Sequence, residues 1–288
     1  MTSAPALRGL KFPLRLDQLK PGAKPAPGGS VAATSPGSSD VSTRSQTEAK
    51  GLRHGANRSR PPTRSQGLGM DSDEVRRQMV QRIGAEVRIS PAVLKALATI
   101  PRHQFVDAAL VTQAYEDTSL PIGHGQTISK PSVVARMIDL LMSGAGAIGA
   151  GGLGKVLEIG TGCGYQAAVL SLLARSVISV ERLKPLHDKA RELLAPLRSS
   201  KLRLVYGDGM FGHPPNAPYD SIIAAASGET LPMAWLEQLA IGGRLVSPIC
   251  QEKTGRQMLV VVDRTERGYE RQLHETVMFV PLKSGMSG

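Results

Sequence analysis

The chain, 288 residues long, predicts an α/β protein: a mostly parallel sheet with helices on both faces, an antiparallel strand pair near its C-terminal end, and helices ahead of the sheet. Three observations carry this prediction. From Val156 onward, short apolar runs alternate with stretches of helical spacing, the pattern of strand–helix units that build a parallel sheet. The first run passes into Gly160-Thr161-Gly162-Cys163-Gly164, a turn joining a strand to a helix N-terminus. Apolar residues make up 41% of the chain and aromatics 3%, enough for a large, mainly aliphatic core. No apolar run approaches the roughly 18 residues of a membrane span.

Residues 1–70 are rich in Pro, Gly, Ser and Arg and poor in large apolar side chains after Leu19. Such a stretch buries too little surface to offset the entropy of ordering it, so residues 1–70 are expected to be a disordered basic extension and residues 71–288 one folded domain. Residues 6–20 space leucines among Arg and Lys, which fits a solvated arm, a weak amphipathic helix or a targeting segment. Met70 stands at the composition boundary and is an alternative translation start. Of the net charge of +11, residues 1–70 hold +8 (eleven Lys/Arg, three Asp/Glu) and the remainder +3 (24 against 21). Basicity thus belongs to the arm, and the folded part carries no strong charge signal for nucleic acid. Only Cys163 and Cys250 occur, so no disulfide framework and no metal site are expected, and a reducing, cytoplasmic setting fits.

The domain opens with helices. Asp71-Ser72-Asp73-Glu74 supplies capping and acidic groups at a helix start, and Val75, Met79, Ile83 and Val87 recur at helical spacing. Ser90-Pro91 begins a second helix with proline in its first turn; Val93, Leu94, Leu97 and Ile100 stripe it and Pro101 ends it. A short segment over 105–110 packs alongside. Residues 115–132 are long, polar and aperiodic, and such connections are more often functional than idle. His124, between Gly123 and Gly125, reads as an exposed loop histidine. Residues 132–142 resume as helix, and 143–154, with six glycines, read as a flexible link to the central strand. Strands follow at 156–159, 177–181, 202–206, 219–226 and 244–249, with helices after Gly164 and over 183–197 and 231–240. Strands at 258–263 and 273–280 form the antiparallel pair, across a turn near Arg267-Gly268.

The glycine turn is selective. A dinucleotide fingerprint requires its third glycine where this chain has Tyr165. Here the pattern is Glu158-x-Gly160-x-Gly162-x-Gly164. A carboxylate beside the loop repels a pyrophosphate and favours a cation. S-adenosyl-L-methionine carries a sulfonium, an ammonium and no phosphate, so Glu158, Gly160, Gly162 and Gly164 are expected at a methyl-donor site. Ligands of parallel sheets lie at the carboxyl ends of the strands. The second strand ends in Glu181, 21 residues beyond Gly160, placed to accept both ribose hydroxyls. The third ends in Asp208-Gly209, the acid placed to accept from an adenine amino group and the glycine keeping the turn open.

In these stretches the chain resembles the protein-L-isoaspartate O-methyltransferases, over about residues 75–282. The resemblance rests on Pro101-Arg102-His103-Gln104-Phe105-Val106, on residues 120–129 ending in Gly125-Gln126-Thr127-Ile128-Ser129, and on residues 156–165. Ser179-Val180-Glu181-Arg182, Gly207-Asp208-Gly209, Tyr219-Asp220-Ser221-Ile222-Ile223 and Phe279-Val280-Pro281-Leu282 extend it. The 120–129 stretch is the most restricted of these and points to the substrate class. The resemblance implies a Rossmann-like methyltransferase fold and a repair activity. A methyl group passes from S-adenosylmethionine to the α-carboxylate of an L-isoaspartyl residue in a damaged protein, and the ester then closes to a succinimide. It also implies Ser129 as the active-site residue, Ser132 at the donor, and Ile128 and Val280 at the bound peptide. Isoaspartyl proteins are the implied partners, with no specific nucleic acid, no membrane and a monomeric state. Ala226-Ser227-Gly228 departs from a region often proline-rich in relatives, which leaves peptide fit open there. A carboxylate of pKa about 4 is already a nucleophile at neutral pH, so no general base is needed; Ser129 aims it, caps the following helix, or does both. Two other readings suit the same fold: a methyltransferase for nucleic acid or a small metabolite, and a binding module without activity.

Overall fold

The computed structural model describes residues 73–252 and 254–287. The expectations for residues 1–70, the alternative start at Met70 and the helix-start residues Asp71 and Ser72 lie outside the described residues. Helices α1 (Asp73–Glu86) and α2 (Pro91–Thr99) come first. Met79 and Ile83 of α1, and Val93, Ala96 and Leu97 of α2, are buried, so the stripe legible in the sequence is the packed face. Short 3₁₀ turns over Arg102–Phe105 and Ala108–Gln113 follow.

The polar connection expected to be aperiodic contains a hairpin, β1 (Leu120–Gly123) with β2 (Gln126–Ile128). At its tip Gly123, His124 and Gly125 have φ of 95°, 54° and 67°, the left-handed region where glycine is at no disadvantage. His124 is exposed there. Next come α3 (Pro131–Met142), α4 (Ala145–Ala150), β3 (Lys155–Ile159), α5 (Tyr165–Leu173), β4 (Ser176–Glu181), α6 (Lys184–Leu194) and β5 (Leu202–Tyr206). The chain continues through β6 (Tyr219–Ala224), α7 (Met233–Gln238), β7 (Leu239–Cys250), β8 (Gln257–Thr265) and β9 (Gly268–Val277). Residues 143–154 are therefore not a flexible link: they hold α4. A Cβ on Gly146 would lie 2.5 Å from the Gly242 carbonyl oxygen, so this glycine lets α4 press against β7.

Seven strands form one sheet in the order β5-β4-β3-β6-β7-β8-β9. Pairs from β5 to β7 are parallel; β8 runs antiparallel to both β7 and β9. Successive strand residues point to opposite faces, and this alternation divides the interior. Val156, Ile223, Val246 and Val261 join one core with side chains of α1, α2, α3 and α5. Leu157, Ile222, Leu245 and Val260 join another with Trp235 and Leu236 of α7. The chain runs outward from β3 to β5, then returns to β6 on the other side of β3. Such a reversal leaves a crevice at the carboxyl end of the central strands. No helix among the described residues is long and apolar enough to cross a membrane.

Candidate active site

β3 ends inside the protein and hands the chain to the glycine turn. Gly160, Gly162 and Gly164 have φ of 88°, 56° and 92°, so alternate glycines allow the tight coil that precedes α5. The turn is braced on β4. Gly160 N–H donates to the Val180 carbonyl at 2.9 Å, and Gly162 N–H donates to Glu181 Oε2 at 2.9 Å. The other Glu181 oxygen accepts from Leu183 N–H at 2.9 Å. Only 5% of Glu181 is exposed, yet it faces the cleft.

That cleft is a concave space of about 880 Å³, counted together with the solvent at its open mouth. The glycine turn contributes Gly160 and Gly162, the ends of β4 and β5 contribute Glu181 and Gly209, the hairpin and its exit contribute Ile128 and Ser129, and the segment after β9 contributes Val280. Seven residues singled out in the sequence thus meet at one cavity. Ser129 lies between β2 and α3 and is half-buried. Its carbonyl accepts from Arg102 Nη2 at 2.8 Å, and among the described residues its hydroxyl has no protein partner. Val280 is held by its neighbours. Its carbonyl accepts from Ser227 N–H at 2.8 Å, while Gln257 grips Phe279 by both its N–H (2.6 Å) and its carbonyl (3.0 Å). The Ala226-Ser227-Gly228 stretch is therefore a backbone support for the Val280 segment.

Four residues expected at the donor do not line the cleft. Glu158 is fully buried beneath the turn. Its Oε1 accepts from Gln166 Nε2 at 3.0 Å and its Oε2 from Ser179 Oγ at 2.5 Å, and Ser179 Oγ lies 2.5 Å from Thr161 Oγ1. Burial pushes this carboxyl up to about 7, against the opposing pull of Ser179 and Gln166. It is an internal organiser of Thr161 and Gln166, which do line the cleft, not a surface charge facing a sulfonium. Gly164 also serves packing: a Cβ there would lie 2.7 Å from Leu194 Cδ1 and 3.0 Å from its Cγ, so this side chain of α6 would have to shift. Ser132 gives both its N–H (2.9 Å) and its hydroxyl (2.7 Å) to Asp117, which caps the first turn of α3.

Asp208 is the fourth. Its Oδ1 accepts from Met210 N–H at 2.9 Å, and its Oδ2 accepts from Gly285 N–H at 2.6 Å and Ser284 Oγ at 3.0 Å. Burial pushes its carboxyl up, but these donors outweigh that and hold it below the usual range. Its neighbour Gly209 does face the cleft, and for a steric reason: a Cβ would lie 2.6 Å from Ile159 Cγ2.

Thr161, Gln166, Arg182 and Lys283 line the cleft without having been singled out. Thr161 and Arg182 sat inside or beside the quoted motifs, so position alone could have found them. Lys283 gave no signal, because its place depends on residues 283–287 returning to β4, where Ser287 N–H donates to the Arg182 carbonyl at 3.0 Å and Arg182 Nε donates to the Gly285 carbonyl at 2.6 Å. Cys163 also lines the cleft; burial pushes its thiol up.

Comparison with known proteins agrees with this geometry. The profile of the family described as Protein-L-isoaspartate(D-aspartate) O-methyltransferase matches residues 74–287. A protein-L-isoaspartate O-methyltransferase of Methylibium petroleiphilum is 54% identical over 276 residues, 96% of each chain. One of Leptothrix cholodnii is 61% identical over 222 residues, 77% of each. Among solved structures, a protein-L-isoaspartate O-methyltransferase superposes with a TM-score of 0.65 at 25% identity, covering 74% of this chain and 67% of that one. A candidate enzyme of the same kind from Plasmodium falciparum, in complex with S-adenosyl-L-homocysteine, gives 0.60 at 22% identity over 72% and 98% and shares the fold. With a profile spanning nearly every described residue and relatives this similar along most of their length, the chain belongs to the protein-L-isoaspartate O-methyltransferase family.

Proposed function

We propose that this protein is a protein-L-isoaspartate O-methyltransferase: it transfers the methyl group of S-adenosyl-L-methionine to the α-carboxylate of L-isoaspartyl residues in damaged proteins, which initiates repair through a succinimide. The observation that carries this reading is one cleft in which a glycine turn braced by Glu181 meets Ser129 and Val280. The donor end suits a nucleoside. Each Glu181 oxygen accepts one backbone N–H and keeps a lone pair for a ribose hydroxyl. Gly160, Gly162 and Gly209 bring backbone to the ligand without side chains in the way. When bound, the donor supplies an electrophilic methyl carbon on a sulfonium.

The chain's own residues then have two tasks. Ser129 Oγ donates a hydrogen bond to the incoming carboxylate and aims one oxygen, while Ile128 and Val280 give the peptide apolar support. Ile122, Val134 and Leu186 in the lining keep water from the reacting oxygen. Orientation of this kind is worth about 7–11 kcal/mol when reactants are well aligned, so the lack of a dedicated base is no obstacle. The same reading extends to a monomeric, cytoplasmic enzyme without nucleic-acid binding; the small +3 balance beyond residue 70 supports the last of these.

Labelled donor incubated with an isoaspartyl peptide and its aspartyl twin tests the activity: label enters the isoaspartyl peptide alone, and equal or absent labelling overturns it. Ser129→Ala is expected to lower turnover roughly 10- to 100-fold while donor affinity stays within a few-fold. Undiminished turnover rejects the role of Ser129.

A further inference from the structure

Arg102 follows α2 and is wholly buried. A guanidinium taken out of water costs several kcal/mol unless its hydrogen bonds are replaced, so its partners must account for it. Among the described residues none of its hydrogen bonds goes to a carboxylate. Nε donates to the Ala114 carbonyl at 2.8 Å, and Nη2 donates to the Ser129 carbonyl at 2.8 Å and the Thr118 carbonyl at 3.4 Å. Its Cζ lies 4.9 Å from the centroid of the Tyr165 ring, within cation–π range, and Tyr165 lines the cleft. Among the described residues Nη1 is buried without a partner.

We propose that Arg102 is the positioning residue of the methyl-transfer reaction: its planar fork fixes the Ser129 peptide unit, and thereby aims the Ser129 hydroxyl at the substrate carboxylate. This rests on the role given to Ser129 above. The chain around Ser129 is pinned from three directions. Ile128 is set by pairing with Leu120 in the hairpin, Ser132 by Asp117, and the carbonyl between them by Arg102. The same guanidinium bonds Ala114 and Thr118, which bracket Asp117. One side chain therefore ties the segment that caps α3 to the residue that aims the substrate. Lysine is a poor substitute, because its ammonium is a point charge without the plane that spans separated carbonyls and stacks on an aromatic face.

The test compares Arg102→Lys, Ser129→Ala and the double variant in the full-length protein, measuring kcat and KM on isoaspartyl peptide and S-adenosylhomocysteine affinity by calorimetry. A residue acting through Ser129 gives a roughly 10- to 100-fold loss of kcat/KM in Arg102→Lys, with product affinity within about two-fold. In the Ser129→Ala background the same change then costs less than about three-fold, because the group it aims is gone. Losses that multiply in the double variant, an affinity that falls in step with turnover, or full activity in Arg102→Lys each overturn the proposal. If Arg102→Lys shows no cooperative melt, Arg102→Gln, which keeps a planar donor, takes its place; if neither folds, the residue is a folding element and the proposal fails. Wild-type transfer to the isoaspartyl peptide is scored separately, so failure of the activity and failure of this role are distinguishable.

Discussion

Glu158 shows how far a single residue can be read in sequence. Its place before the glycines marked it as important, but its depth did not show: whether a strand-end carboxylate faces ligand or lies under the loop depends on Ser179 across the strand pair and Gln166 at the start of α5. Burial raises its pKa from 4.5 to about 7. The folded protein therefore holds this proton where the unfolded chain has released it. The contribution to stability is fully present below about pH 4.5 and is lost as pH rises toward 7, on the order of 3 kcal/mol. Thermal melts of wild type and Glu158→Gln across pH 5–8 should show the wild type losing more stability than the variant over that window; parallel curves would contradict it. Glu181 was more legible, because spacing and strand end coincide. Glu181→Ala removes the acceptor of Gly162 N–H and is expected to weaken donor binding at least about ten-fold; unchanged affinity by calorimetry refutes its ribose role.

At the scale of elements, the central strands β3, β4 and β6 were legible because each is an apolar-rich run buried on both faces over most of its length. β1 and β2 were not, since strands of four and three residues are too short to display a period. α4 was hidden for a different reason: Ala-Gly-Ala-Ile-Gly-Ala has no apolar stripe, and what keeps it helical is its seat on β7. Gly164 was expected at the donor, and the structure adds a constraint that sequence did not show, its packing against Leu194 of α6. Gly164→Ala combines a left-handed φ of 92° with a clash on Leu194, an overpacking worth about 1–3 kcal/mol. A melting midpoint lowered by several degrees is expected; a midpoint within one degree of wild type would show that α6 yields freely.

For the molecule as a whole, charge is unevenly divided, with +8 in residues 1–70 and the cleft elsewhere. Removal of residues 1–70 is expected to leave kcat/KM on isoaspartyl peptide within about two-fold, and the remaining protein should show no steep salt-dependent DNA binding; a large loss would give residues 1–70 a part in turnover, and such binding would make the folded part a nucleic-acid binder. The long-range order that sequence reading missed is concentrated in residues 283–287, which continue the strap begun at Phe279. Asp208 is met by a backbone amide 77 positions away, a separation no local pattern announces. That strap places Val280 in the cleft and, five residues later, Gly285 on Asp208, a span of at most about 18 Å. Peptide end and nucleoside end thus share one tether. A displacement of the strap at Val280 is carried toward Asp208 and its neighbour Gly209, and any coupling that results between the two ligands is equal in both directions.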